Sequence, residues 1–322
     1  MIEYIKYKNN SNNILVETSV PLKKDGIYYL TGEENYWLIS CGKKQDLQNP
    51  FIEKGIIGLG WDKINLKDII NKNDNELSEK LLEKYEHLEK MYNDFSTFKR
   101  YISSVVTKLK RFVCEMKLGD IIVLKDRGSN EIYFGKIISE AEDYLEEDLF
   151  VDEITGYCNK IRKIKWLKSV SKDNIGSELK LALSARHAIS LIKHEKVKEE
   201  VNREVFSYFY RGENLHIVFK VSLNGDISQD NFKEFQDCIH ELKEKCISET
   251  KAKNIFYIKT NVQSPGPIEF FGDPRIVSYI FGVITAGSGI AVSKYLKSKK
   301  KLDIKDPKKQ DDEIDDGFSK GN

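Results

Sequence analysis

The chain of 322 residues is long enough for two domains that each bury their own core. Its 52 Lys and Arg residues almost balance its 51 Asp and Glu residues, which excludes a globally basic surface and leaves any nucleic-acid binding to a local patch. The five cysteines form no C-x-x-C pair and have no histidine at zinc-ligand spacing, so they exclude a zinc ribbon and favour free thiols in a reducing compartment.

Strand patterns dominate the first part of the chain. Residues 1–35 contain two short apolar runs, 14–17 and 27–30, and are predicted to form an N-terminal β appendage. Two further strands follow in YWLISCG, which starts at Tyr36, and in GIIGLGW, which ends at Trp61. The glycines of the second strand indicate tight curvature or a close approach of another backbone.

Two amphipathic helices are predicted after these strands. Apolar residues recur at helical spacing over 77–91 and again over 98–116. The remaining elements of the same unit are predicted as strands at 121–124, 132–138 and 161–170 and a closing helix at 179–197. Glycine-punctuated apolar strands with tryptophans at their edges indicate a small barrel that could hold a flat ligand.

The order of these segments resembles a known family. The motifs YWLISCG, GIIGLGW, MKLGDIIVL, YFGKI, RKIKWL and SARHAISLIK follow one another as in the EVE/PUA-like domain at the N-terminus of Mrr-type restriction endonucleases and related defence proteins. The resemblance covers 36–197 and places a reader domain at 36–200. It implies a small β-barrel that binds a modified or flipped base in an aromatic-walled pocket.

A base-binding site needs a flat apolar surface for stacking and a few fixed hydrogen-bonding groups. In the implied barrel, the candidates for these roles are Trp37, Ser40, Gly42, Trp61 and Tyr133. Trp37 and Trp166 also fit the core, and for these two the core role is favoured. For Trp61, at the end of its strand, both roles fit the sequence equally well.

Three basic residues near the barrel mouth are candidate phosphate contacts, namely Lys125, Arg127 and Lys136. The segment 126–130 is also typical of an ordinary polar hairpin turn, which needs no ligand. The sequence contains no nucleophile elbow, Walker loop, HExxH pair, kinase motif or restriction-nuclease signature. It therefore predicts no catalytic residue, no metal site and no cofactor, although an enzyme with an unfamiliar site stays open.

A second, smaller unit is predicted at 203–265. Residues 215–223 alternate as a strand with one buried face, and a helix with an apolar stripe follows before a second strand at 255–258. A β-α-β domain of this size is small for independent stability. We therefore expect it to be stabilised by packing against a neighbouring domain or another copy of the chain.

The run 276–293 contains no charged residue, and a hydrophobic helix is predicted at 276–296. The run is at the lower length limit for a transmembrane helix, and its small residues are typical of helices that pack in lipid. The alternative is a buried glycine-rich segment of a soluble protein. The tail at 297–322, a lysine cluster followed by acidic residues, is predicted to be disordered.

Together these patterns predict an α+β fold: a small PUA/EVE-like β-barrel with inserted helices, then a small β-α-β domain and a hydrophobic helix. The predicted function is a non-enzymatic sensor of a modified base, nucleic acid or nucleotide signal, coupled to a membrane-associated C-terminal segment in bacterial antiphage defence. The alternative is a soluble scaffold subunit of a multi-protein defence complex.

The expected partners are a nucleic acid or nucleotide ligand, the membrane, and either a second copy of the chain or a partner defence protein. The expected location is the cytoplasmic side of the bacterial inner membrane, with the cytoplasm as the alternative. No cofactor is expected.

Overall fold

The computed structural model describes residues 2–11, 14–41, 47–126, 128–146, 148–185, 187–221, 229–260 and 266–286. The chain divides into two compact units. Unit 1 comprises Met1–Glu3, Pro21–Glu33 and Asn202–Asn322, and unit 2 comprises Tyr4–Val20 and Glu34–Val201.

The described elements alternate between strands and helices. The strands are β1 (Ile2–Ser11), β2 (Ile14–Lys24), β3 (Ile27–Leu30), β4 (Tyr36–Ser40), β5 (Ile56–Leu59), β6 (Ile121–Lys125), β7 (Glu131–Ile137), β8 (Glu142–Asp143), β9 (Phe150–Asp152), β10 (Gly156–Tyr157), β11 (Lys160–Ser171), β12 (Ile189–Leu191), β13 (Tyr208–Arg211), β14 (Asn214–Val221), β15 (Phe256–Thr260) and β16 (Gly266–Gly272). The α-helices are α1 (Gln48–Lys54), α2 (Leu66–Asn71), α3 (Asp74–Lys84), α4 (Phe95–Lys110), α5 (Ser177–Leu183), α6 (Glu195–Val205), α7 (Gln229–Thr250) and α8 (Pro274–Ala286). Short 3₁₀ segments lie at Glu86–Met91 and Lys172–Asn174, and a π-helical turn, Arg111–Glu115, continues α4.

The main sheet of unit 2 is an open half-barrel. Its strands run in the order β12-β4-β6-β7-β11-β5, and β8 pairs with the start of β11. Among the described residues no strand joins β12 to β5, so the sheet does not close. The prediction of a small β-barrel is therefore corrected to a half-barrel, and the fold is a mixed α+β structure built on an open sheet.

The curvature of this sheet depends on β11. Its first residues pair with β5, and from Ile164 onward it pairs with β7, with an irregular register between Trp166 and Lys168. Gly135 of β7 lies opposite Trp166. A Cβ atom at Gly135 would lie 2.4 Å from Cγ2 of Ile164 and 2.8 Å from Cε3 of Trp166. Only glycine therefore lets the indole lie against β7.

The two amphipathic helices predicted from apolar spacing are confirmed as α3 and α4. Asn73 caps α3 by accepting from the backbone N–H of Glu76, and Asp94 caps α4 by accepting from that of Thr97. The residues of α4 that face the core are Phe98, Ile102, Val105, Val106 and Leu109. Their spacing is the 3.6-residue period that the sequence shows.

One buried arginine joins this helix layer to the sheet. Arg162 of β11 is fully buried, and its Nε donates to the carbonyl oxygen of Phe112 at 2.7 Å. Nη2 donates to the carbonyls of Val113 and Met116, and Nη1 donates to that of Ser139. The last carbonyl oxygens of a helix have no hydrogen-bond donor within the helix. The guanidinium of Arg162 provides these donors where the π turn after α4 ends.

The closing helix predicted at 179–197 is wrong. The structure instead has α5, then strand β12, then α6. Residues Ile189–Leu191 pair antiparallel with β4, and the N–H of Ser40 donates to the carbonyl oxygen of Ala188 at 2.9 Å. Hydrogen bonds to the backbone of β4 therefore stabilise a strand at Ile189–Leu191, where the sequence pattern predicts a helix.

Unit 1 contains a sheet in which β3, β13, β14, β16 and β15 are neighbours in this order. The strand and helix predicted at 215–223 and after it are present as β14 and α7, and β15 follows. However, β16 lies between β14 and β15 and is antiparallel to both. In addition, β3, from the predicted N-terminal appendage, pairs in parallel with β13.

The apolar run at 276–293 begins as α8, whose residues Ile276, Val277, Ile280 and Ile284 are buried in the core of unit 1. Residues 287–293 and the tail lie outside the described residues. Within the described part of the chain, no helix is both long enough and apolar enough to cross a membrane. The prediction of a hydrophobic membrane helix is therefore corrected: the apolar side chains of α8 cover a sheet.

We expect Arg162→Met to lower the free energy of unfolding by about 3–5 kcal/mol, because it leaves several buried carbonyl oxygens without a donor. Thermal and urea unfolding followed by circular dichroism would measure the loss. Lys165→Met on the same strand, where the side chain is exposed, is the matched control. Equal stability of the two variants would contradict the role given to Arg162.

We expect opposite effects from two glycine-to-alanine substitutions. Gly135→Ala should destabilise unit 2 by about 1–3 kcal/mol, because the new methyl group collides with Ile164 and Trp166. Gly282→Ala in α8 should leave stability unchanged or raise it by up to about 1 kcal/mol, because its Cβ would meet no atom within 4 Å and alanine favours helices. Urea titration of both variants distinguishes crowding from a general intolerance of alanine.

Candidate functional site

Trp37 is a structural residue of the core. Its side chain is 1% exposed, and its indole Nε1 donates to Oδ2 of Asp120 at 2.8 Å. The same carboxylate accepts from the backbone N–H groups of Asn35 at 2.9 Å and Lys117 at 3.0 Å. Gly119, with a φ of 88°, makes the turn that places Asp120 there. The carboxylate therefore ties β4 to the turn before β6.

Trp61 is also buried, at 4% exposure, inside an aromatic cluster. Its ring meets Tyr85 edge-on at a centroid distance of 4.8 Å and lies 6.0 Å from that of Tyr101. Its backbone adopts a φ of 69° and donates to the carbonyl oxygen of Thr155 at 2.6 Å. This geometry fixes a turn and fills the space between α3 and α4.

The other ligand candidates do not complete an open aromatic pocket. Tyr133 is half-buried and lies edge-on to Trp166, which is 6% exposed and donates to the carbonyl oxygen of Phe51. Ser40 donates to the carbonyl oxygen of Cys41, and Gly42 lies outside the described residues. A base could reach the indoles only if the core opened. Base binding by these residues stays a prediction.

The basic candidates lie in different environments. Lys136 is buried, and its Nζ lies 3.8 Å from Oε1 of Glu34, which is buried as well. Burial lowers the pKa of Lys136, and the nearby Glu34 carboxylate opposes that shift. Arg127 lies outside the described residues. Lys125, in contrast, lines a cleft.

This cleft, the lysine cleft, has a volume of about 480 Å³ and lies between the turn after β6 and the end of α5. The lining residues are Lys125, Asp126, Lys172, Lys180, Leu183, Ser184 and Ala185. The charged residues of this lining are three lysines and one aspartate. In the sequence, Arg127 and Arg186 directly follow two of the lining residues.

Backbone carbonyls hold the lysines in place. Lys125 Nζ donates to the carbonyl oxygens of Leu183 and Ala185, the latter at 2.8 Å. Lys172 Nζ donates to those of Asp126 at 2.8 Å and Ser129. Each ammonium therefore ties together two segments that border the cleft. An anion entering the cleft would meet cationic groups whose positions are already fixed, which lowers the entropic cost of binding.

Lys160 is a strongly perturbed ionisable group, and such groups often mark functional sites. Burial lowers its pKa to about 8. Its Nζ donates to the carbonyl oxygens of Trp61 at 3.1 Å and Ile64 at 2.9 Å, and also to Oδ1 of Asn159. These three acceptors match the three N–H bonds of an ammonium, so Lys160 is held as a structural tie for the turn after β5.

A buried pair in unit 1 was missed by the sequence analysis. Nδ1 of His216 lies 2.6 Å from Oε1 of Glu269, and both side chains are buried. His216 had no partner in the sequence pattern because Glu269 belongs to β16, in a proline- and glycine-rich stretch that does not have a strand signature. Lys172 and Lys180 were missed for a similar reason: in a lysine-rich chain, only the folded sheet brings them to Lys125.

Among the described residues, no group of three or more His, Cys, Asp or Glu side chains is arranged to hold a metal ion. None of the five cysteines, all of which the structure describes, forms a disulfide, and burial raises the pKa of Cys158 to about 12.

One family model matches the chain, over residues 37–186: a domain of unknown function, DUF8426. The match covers less than half of the chain and includes most of unit 2. It is the family to which this segment is similar, and its description names no activity. No curated protein matches the chain.

We expect the tryptophan fluorescence of the folded chain to resist quenching by iodide. All three tryptophans of the sequence are at most 6% exposed, so a charged quencher cannot reach their rings. Stern–Volmer titration of the native chain and of the chain in concentrated urea makes the comparison. The contrary outcome is that about one third of the native emission is quenched as readily as in urea. One of the three indoles would then be open to ligands.

Proposed function

We propose that unit 2 is a non-enzymatic binding module that takes the phosphate groups of a nucleic acid or nucleotide in the lysine cleft. The observation that supports this is the convergence of Lys125, Lys172 and Lys180 on one cleft of about 480 Å³. An ammonium group is a point charge with several donors, which suits phosphate oxygens.

The ligand class is the one that the EVE/PUA resemblance implies, and its phosphate groups contact the lysines of the cleft, while the tryptophans stay in the core. The contacts of the turn after β6 support this placement. Lys172 and Asn130 tie this turn down, and Asn130 Nδ2 donates to Oδ2 of Asp173 at 2.8 Å. The five cysteines, which form no disulfide, further support a reducing location such as the cytoplasm.

An interaction subunit is the second candidate function. The filled core of the half-barrel favours it, because Trp37, Trp61 and Trp166 occupy the space that a base pocket would need. In that case the lysine cleft would be a solvated surface, and its lysines would serve only to tie segments together.

Charge reversal in the lysine cleft should distinguish the binding module from the interaction subunit. We expect Lys180→Glu to weaken binding of the full chain to labelled oligonucleotides by about tenfold at low salt, and to reduce the slope of log affinity against log salt by about 1. Lys180 is exposed and its Nζ makes one hydrogen bond, to the carbonyl oxygen of Asp173, so the fold should survive. Fluorescence anisotropy with modified, unmodified and single-stranded oligonucleotides and free nucleotides is the measurement.

Lys99→Glu is the matched control, because Lys99 is exposed on α4 and the change in net charge is the same. Equal weakening by both variants would indicate only a general loss of attraction. If no ligand in the panel binds the unsubstituted chain, the interaction subunit becomes the better account.

A further inference from the structure

The sheet of unit 1 has two different faces. On one face, Leu215, Ile217 and Phe270 are buried in a core that includes residues of α7 and α8. Because side chains alternate along a strand, His216 and Phe271 project from the opposite face. This second face carries a row of aromatic rings, which we call the ring row: Phe209, His216, Phe271 and Tyr257.

The ring row crosses four adjacent strands in register. Phe209 is paired with His216, His216 with Phe271, and Phe271 with Tyr257. The successive centroid distances are 4.7, 5.1 and 5.0 Å, and the successive interplanar angles are 17°, 8° and 21°. The rings therefore stand on the sheet like parallel plates, one on each strand.

Exposure changes along the row. Phe209 and His216 are buried, Phe271 is half-buried, and Tyr257 is 55% exposed. Tyr257 lies on β15, the last strand in the order of this sheet. One face of its ring is covered by Phe271, so the exposed surface includes the face that points away from the row.

The row is held rigid from within. Glu269 fixes the imidazole of His216 through the 2.6 Å contact to Nδ1, and both groups are buried. His216 in turn lies against Phe271 with nearly parallel planes. A ligand that stacks on Tyr257 would therefore meet a platform that is already ordered, and stacking on such a platform costs little side-chain entropy.

The charges around the exposed end are positive. Lys259, two residues along β15 from Tyr257, has its Nζ 5.3 Å from the centroid of Phe271. Lys251 and Lys253 are exposed in the turn that leads into β15. Glu269 of the neighbouring β16 and Asp273 directly after it have partners, since Glu269 contacts His216 and Asp273 forms an ion pair with Arg275.

We infer that the β15 edge of unit 1 binds an unpaired base of a single-stranded nucleic acid, which stacks on the outer face of Tyr257 while the neighbouring lysines contact phosphates. Aromatic side chains beside cationic groups bind single strands with little sequence preference. A lysine on an edge strand also disfavours pairing with another protein strand, which makes the polyanion the better occupant. This surface lies in unit 1, so the inference does not depend on ligand binding in the lysine cleft of unit 2.

The test uses the full chain and a fluorescein-labelled oligothymidylate. We expect Tyr257→Ala to weaken binding by about tenfold, which is within the range for loss of one stacked base. Phe95→Ala is the matched control, because Phe95 is an aromatic residue of unit 2 with 53% exposure and should leave affinity unchanged. Melting curves of both variants check that each one folds.

Tyr257→Trp supplies a second, spectroscopic readout. It should keep the affinity and add an emission that iodide quenches in the free chain and that unlabelled oligothymidylate both quenches and shields from iodide. The same response should persist when Lys180→Glu is added, which separates this surface from the lysine cleft.

Two results would overturn the inference. One is unchanged affinity in Tyr257→Ala together with no response of the Tyr257→Trp emission to oligonucleotide. The other is an emission already shielded from iodide in the free chain, with a dimer in sedimentation that Tyr257→Ala dissociates, because a second copy would then occupy the edge.

Discussion

The guanidinium of Arg162 is the contact on which the architecture of unit 2 depends. It is fully buried and donates to backbone carbonyls of the π turn that continues α4, of Met116 and of Ser139. Burial lowers the pKa of Arg162, but an arginine starts so high that it stays charged at neutral pH. A buried cation of this kind is tolerated only where every N–H has an acceptor, so the helix end and the bend of β11 must form together.

The same device recurs with lysine. Lys110 Nζ donates to the carbonyl oxygens of Ile69 at 2.7 Å and Lys72 at 2.6 Å, and so supports the end of α2. Lys160 holds a turn in the same way. In a chain with 52 basic residues, part of the positive charge is therefore used inside the fold, and a count of lysines overstates how much of it faces a ligand.

The sequence predicts the elements of this protein better than their arrangement. Helical spacing located α3 and α4, and strict alternation located β14, because in each case one face is buried against a core. The strand β12 could not be seen, since its three residues acquire their partners only from β4. The sequence also does not predict that the sheet stays open. Glycines such as Gly135 indicate that another group lies close to the backbone, but they do not show which group it is.

The candidate site shows the same limit at the level of single side chains. Trp37 carries the same apolar signature whether it lines a pocket or fills a core, and its contact with Asp120 depends on a turn 83 residues away. The sequence predicts Lys125 as a phosphate contact near the barrel mouth, whereas Lys172 and Lys180 join it only through the positions of β11 and α5 in the fold. Likewise, Tyr257 can be recognised as a candidate binding residue only from the strand register, which aligns its ring with three others.

The order of segments along the chain has a consequence for biosynthesis. The sheet of unit 1 uses β3 near the start of the chain and β13 to β16 near its end, with most of unit 2 in between. A ribosome therefore completes Glu34–Val201 long before β16, which must lie between β14 and β15, has been made. The long segment Glu34–Val201 of unit 2 can fold cotranslationally, while β3 waits for its partner β13 with that edge unpaired.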